Sequence, residues 1–419
     1  MLAVGALLLM PGCENNYRPV ANPVVGPGGQ PQGTHYAYVV NYNPAGDGST
    51  TQIDVSGDSI TQVQTTGLGS NYESFLSTSA QLVFVTNGSN DTVSEFNIGL
   101  TGVVTTINLP LGSHPVVVTS TQSGFMYVLN SGANSVCPNS GSISTISVVT
   151  LAVSNTTCLS IQQSSGSYYY GVDPIAMVQA AGGGRLYVIN HGDNSVWVYD
   201  PLTQSIIATF TTKASGLGTN AVFLAPSADG SYIFVVTAGD GVNPGALDII
   251  STSNYGVLPS VPLGVNPRFA FFDPTLVRLY VTNSGSNSVS VFDASNVNVS
   301  GSPPIPLLAT VTVGTNPVSV TALPDGSRFF VANSLSNNVN DVSASSFAVL
   351  NTIALPVGAN PVWIASEPTA SKIFVANSSY TSVIQTVNDA LSVNLSAPAQ
   401  SPSCTSSCPL QQPVMIITD

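Results

Sequence analysis

The segment Arg278-Leu279-Tyr280-Val281-Thr282-Asn283, followed by a polar loop and Ser288-Val-Ser-Val-Phe-Asp, recurs along the chain in recognisable variants. The copies end at Asn41, Asn87, Asn130, Asn190, Thr237, Asn283, Asn333 and Asn377, at spacings of 43 to 60 residues. That period belongs to four-stranded propeller blades. Apolar runs of four to eight residues, broken by Gly, Asn, Asp and Pro, supply four strands per unit, here called A to D. In residues 316–354, strand A starts at Pro317, the turn Pro324-Asp325-Gly326 leads into strand B at Arg328, a polar loop leads into strand C, and strand D follows. Equivalent A strands are expected to start at Tyr72, Pro115, Pro174, Ala221, Pro267, Pro317, Pro361 and Pro413.

The two ends of the chain complement each other. It opens on a strand B at Tyr36 with no strand A before it, and closes on a strand A at Pro413 with no strand B after it. The last strand is therefore expected to complete the first blade and so remove the open sheet edge. The fold class is all-β, a β-propeller of eight four-stranded blades, with seven as the alternative if one weak unit is an insertion. Each strand B is apolar on both faces, as a blade sandwiched between two others requires. Its terminal Asn is expected to be a turn former bonded to nearby backbone.

Only 6% of residues are charged, and the formal charge is −13. This excludes a phosphate-backbone partner, which needs a Lys/Arg stripe. No apolar run reaches the roughly 18 residues that span a bilayer, so the hydrophobicity sits in short strands. Residues 1–13 carry an apolar run ending in Gly12-Cys13, which resembles a bacterial lipoprotein signal with Cys13 as the lipidated residue. Met10, Pro11 and the lack of a preceding Lys or Arg depart from that pattern. The residue after the cysteine is Glu14 and not the Asp tied to inner-membrane retention, so the resemblance implies an exported protein held at the outer membrane or cell surface. Residues 14–34, rich in Pro, Gly, Asn and Gln, read as a flexible tether, and the propeller as 35–419. The other four cysteines are expected to pair as Cys137–Cys158 and Cys404–Cys408, as an oxidising compartment permits. No His lies at zinc-ligand spacing near either pair, and no cofactor or metal is implied.

Tyr280-Val281-Thr282-Asn283 together with the repeated element Gly314-Thr-Asn-Pro317, Gly264-Val-Asn-Pro267, Gly358-Ala-Asn-Pro361 and Gly112-Ser-His-Pro115 resembles the YVTN-family β-propellers. These are related in architecture to lactonase-like propellers and occur in exported surface proteins. The likeness covers nearly everything from residue 36 onward. It implies a binding or surface module and licenses no activity by itself.

In a propeller the D-to-A and B-to-C loops converge on one mouth of the central channel. The residue before each strand A forms a collar there: Asn71, His114, Asp173, Asn220, Asn266, Asn316, Asn360 and Gln412. These residues either cap turns or present a neutral hydrogen-bonding surface to a sugar or a peptide backbone. His114, Asp173 and, one blade on, His191 are the only candidates for acid–base work, in a lactonase-like hydrolase. An insertion holding Cys137, Cys158 and Tyr168-Tyr169-Tyr170 offers aromatic contact area in a D-to-A loop, for a carbohydrate or a protein partner. Arg185, Arg278, Arg328 and Lys372 share the first position of strand B and are expected to keep strand edges soluble on the opposite face. The leading functional reading is an exported, lipid-anchored, non-catalytic binding module.

Overall fold

The computed structural model describes residues 36–43, 48–64, 75–77, 82–97, 105–120, 124–181, 184–211, 218–398 and 410–418. Cys13, the 14–34 tether, Asn71, Cys404 and Cys408 lie outside the described residues. Eight four-stranded antiparallel sheets form a β-propeller. In seven of them the four strands follow one another along the chain. The eighth, blade 1, combines Tyr36–Tyr42, Ser49–Asp54 and Ser59–Gln64 with Gln412–Thr418. The closing pair is antiparallel, with Tyr38 opposite Ile417, Val39 opposite Ile416 and Val40 opposite Met415. One A strand starts later than expected, at Trp363 in blade 8, and the start expected at Tyr72 in blade 2 lies outside the described residues.

Burial follows the repeat. Strands B such as Phe125–Asn130, Arg278–Asn283 and Arg328–Asn333 are buried from their second residue onward on both faces, because neighbouring blades cover each side. On the innermost strands Phe223 packs on Phe269, and Phe269 on Trp363, with ring centroids 4.8 and 5.4 Å apart. Blades 6 and 8 thus meet in front of blade 7, whose residue at the matching position is the small Ser319. Trp363 also ties the seam between blades 8 and 1, its Nε1 donating to the Ile416 carbonyl at 3.1 Å, while the Thr418 hydroxyl donates to Ser366 O at 2.8 Å.

The basic residues at the start of strand B are not there for solubility alone, as expected from sequence: three of the four bridge blades. The Lys372 ammonium of blade 8 reaches Asp58 and the Val55 carbonyl of blade 1. Arg328 of blade 7 binds Asp341 of its own blade at 2.7 Å, and Asp389 at 2.8 Å and the Thr386 carbonyl at 2.6 Å in blade 8. Arg278 of blade 6 donates to Ala344 O of blade 7 at 2.5 Å and lies over the Phe347 ring. Arg185 pairs within blade 4, with Asp200 at 2.9 Å. The side chains of Lys372 and Asp58 are 10% and 17% exposed, so removing one partner strands a nearly dry charge. Asp58→Ala is expected to lower unfolding free energy by about 3–5 kcal/mol in chemical denaturation.

Burial outweighs the Arg328 guanidinium at Asp341 and pushes that carboxyl up to about 6; Asp193, Asp248 and Asp273 are raised from 3.8 by the same desolvation. Between pH 3.8 and about 6 the folded state therefore holds protons that the unfolded chain releases, and this contribution to stability falls as pH rises. Asp54, Asp293 and Asp325 are lowered by hydrogen bonds from Ser56, Ser295 and Ser327, so theirs is lost as pH drops below the normal carboxylate range. The melting temperature is expected to be higher at pH 5 than at pH 7.5 and to fall again below about pH 3.5.

Candidate functional site

The mouth is built from two interlocked sets of loops, and the buried Asn of strand B positions them. Asn87 donates to Thr92 and Ser94, both at 2.9 Å, Asn130 to Ser142 and Ser144 at 3.0 and 2.9 Å, and Asn283 to Ser288 and Ser290 at 3.2 and 3.0 Å. The expected backbone contact exists as an additional bond, as in Asn377 to Val375 O at 3.2 Å, but the main partners are side chains of strand C. Fully buried amide donors need such partners. In blade 7 the relay runs on, from Asn333 through Asn340 to Thr352 in strand D. Blade 5 departs from the pattern: Thr237 donates to the buried Asp248, which also accepts from Ser260 and the Gly218 amide. A hydroxyl and a carboxylate there replace the amide and hydroxyl with the direction of donation kept.

The same Asn explains the Gly-x-x-Pro element. A Cβ on Gly171 would stand 2.6 Å from Oδ1 of Asn190, and one on Gly264 2.7 Å from Cβ of Asn283. At these two positions only glycine lets the D-to-A loop lie directly on the buried amide, whereas Gly112 and Gly358 are called for by their positive φ of 89° and 79°.

The collar owes its composition to backbone conformation. His114, Asp173, Asn220, Asn266, Asn316 and Asn360 have φ between 43° and 61°, the left-handed region that short polar residues tolerate best. A bulge at the start of strand A accompanies it in blades 3 to 7, for instance between Pro267 and Phe269 and between Pro317 and Ser319. Gln412 stands apart, in strand register opposite Tyr42. A second set of left-handed residues, missed in the sequence, precedes strand C. Asp91 accepts from the His114 amide at 2.8 Å, Asn287 from Asn316 at 2.9 Å and Asn337 from Asn360 at 2.8 Å, each clamping the next blade's collar. Its signal is the Asn or Asp immediately before strand C in these copies.

The possible acid–base groups are turned apart. His114 Nδ1 lies 3.0 Å from Gly88 O in blade 2, and His191 Nδ1 3.4 Å from Ala221 O in blade 5. The exposed Asp173 offers its backbone carbonyl to the His191 amide at 2.9 Å. Asp193, in the same loop as His191, is half-buried and holds the Ser195 hydroxyl at 2.7 Å. Among the described residues no group of three or more His, Cys, Asp or Glu is placed to hold a metal ion.

The insertion is a hairpin and not an open loop. Ser160–Gln162 pairs with Tyr168–Tyr170, and Cys137 is joined to Cys158 just before it. Strand alternation splits the tyrosines: Tyr169 packs inward on Trp197, centroids 5.7 Å apart, and burial pushes its hydroxyl up to about 12. Tyr168 and Tyr170 stay on the outer face, their rings within 21° of parallel.

No family model and no curated protein matches this chain. Solved structures do match in fold. Dihydro-heme d1 dehydrogenase NirN in complex with DHE is 12% identical with a TM-score of 0.68, over 96% of this chain and 78% of that one. Apo AztD from Citrobacter koseri is 13% identical with a TM-score of 0.60, over 92% and 98%. The periplasmic gluconolactonase PpgL of Pseudomonas aeruginosa is 15% identical with a TM-score of 0.54, over 92% and 99%. At such identities the likeness is one of fold.

Gly171→Ala and Asn190→Ala are each expected to destabilise, the latter by about 1–3 kcal/mol. Because the clash on Gly171 is entirely with the Asn190 amide, the double variant should lose less than the sum of the two in a double-mutant cycle.

Proposed function

We propose that the protein is an exported, lipid-anchored propeller of the YVTN kind that acts as a binding module without catalysis. The reading is supported above all by the two mouth histidines, whose rings lean onto backbone carbonyls of two different blades, 2 and 5. A hydrolase needs its acid and base within reach of one substrate atom, and this arrangement spreads them. The collar residues meet a backbone requirement, which leaves their polar side chains as incidental contacts and not a catalytic set. Export is supported by the Cys137–Cys158 disulfide and by the likeness in fold to a periplasmic gluconolactonase. In this reading Cys13 carries the lipid, and residues 14–34 hold the propeller off the membrane.

Purified protein incubated with δ-gluconolactone and γ-butyrolactone is expected to hydrolyse neither faster than buffer. Turnover that His114→Ala abolishes would overturn the binding-module reading in favour of a hydrolase. In cell fractionation the wild-type chain should sediment with membranes and Cys13→Ser should not; equal distribution of the two would remove the anchor from the account.

A further inference from the structure

We propose that the hairpin of Ser160–Gln162 and Tyr168–Tyr170 is a platform for a neutral polysaccharide. This rests on the binding-module reading and narrows it to one surface and one ligand class. Residues directly opposite in an antiparallel pair share a face. Ser160 opposite Tyr170 and Gln162 opposite Tyr168 form the outer face, while Ile161 opposite Tyr169 forms the inner one. Ile161 and Tyr169 pack against the cluster of Val117, Tyr127 and Trp197 and fix the hairpin to blades 3 and 4.

The outer face carries two aromatic rings and two hydrogen-bonding side chains. Tyr168 is 52% exposed, and its ring centroid lies 6.0 Å from that of Tyr170. Two residues apart on one strand and within 21° of parallel, the rings follow one another as a strip along it. A pyranose ring presents a face of C–H groups that packs on such a strip, with hydroxyls at its edge for the Gln162 amide and the Ser160 hydroxyl.

Charge decides the ligand class. No Asp, Glu, Lys, Arg or His occurs from Pro115 to Val172, which covers all of blade 3 and the hairpin. Acidic glycans and nucleic acids need cations that this surface lacks. The turn at the hairpin tip is Gln163-Ser-Ser-Gly-Ser167, polar throughout. A stable protein interface would bury about 800 Å² on this side around a desolvated core, whereas a strip of two tyrosines edged by Ser and Gln matches a sugar chain. The platform is also pre-ordered. Besides the disulfide, Leu159 N donates to Gly141 O at 2.9 Å, Gly171 N to Leu159 O at 2.8 Å and Gln163 N to Ser167 O at 2.8 Å, so little ordering remains for a ligand to impose.

Affinity electrophoresis in native gels tests this, since the acidic protein migrates readily toward the anode. Gels containing hydroxyethyl cellulose, laminarin, soluble starch or galactomannan are run beside plain and alginate gels, with melting curves for every variant. At least one neutral polymer should retard the wild type. Tyr168→Ala and Tyr170→Ala should weaken that retardation by about tenfold each with unchanged melting, and Tyr168→Phe should keep it. Tyr169→Ala should instead lower the melting temperature. Retardation by none of the neutral polymers, by alginate alone, or equally for wild type and the two outer-face alanine variants would overturn the assignment. None of those results bears on lactone turnover, so a failure here is separable from a failure of the non-catalytic reading.

Discussion

Closure of the ring by Gln412–Thr418 against Tyr36–Tyr42 is the constraint on which the rest of the molecule depends. Without that pair, Tyr36–Tyr42 would keep an open edge and Gln412–Thr418 would be left unpaired, both ready to pair with other chains. Closure instead buries Val39, Val40, Met415 and Ile416. The completed blade 1 is in turn heavily tied to its neighbour, blade 8, across one seam. Trp363, Thr418 and the Lys372–Asp58 ion pair all cross it. Arg328 and Arg278 repeat the device at the next two seams, so the outward end of strand B serves as a clasp between blades.

At the other end of strand B the same logic is carried by neutral groups. A buried amide must find partners, and strand C supplies hydroxyls opposite it. Where the crossing loop lies directly on that amide, as at Gly171 and Gly264, it must be glycine, and the residue ahead of strand A turns left-handed. Three features of the sequence motif, the Asn, the Gly and the Asn before Pro, are thus one interlocked arrangement. The mouth is polar because its backbone demands short polar residues, so a polar mouth is weak evidence for a ligand in a fold of this kind.

Much of the fold was legible because the repeat is regular: spacing gave the blades, and the unmatched ends gave the closure. What stayed hidden depends on neighbours that are distant in sequence. The register of Lys372 places it at the far face, but only three dimensions put Asp58 beside it. The collar positions were readable, whereas the positive φ at His114 and Asn316 goes with a strand A bulge that shows only once strands A and B are paired. Three adjacent tyrosines looked equivalent until strand pairing turned Tyr169 onto Trp197 and put the exposed Tyr168 and the half-buried Tyr170 on the other face. Thr237 was visible as the one copy without Asn, but its pairing with Asp248, which makes the exchange conservative, appears only in the hydrogen bonds.

Hydrogen exchange followed by mass spectrometry addresses closure most directly. Peptides covering Tyr36–Tyr42 should exchange as slowly as those covering Arg278–Asn283, both strands being paired on two sides, and those covering Gln412–Thr418 as slowly as those covering the inner strand Pro317–Ala322, paired like it on one side. A C-terminal peptide that exchanges like free chain, while Arg278–Asn283 stays protected, would contradict the closed ring and every position assigned to its mouth.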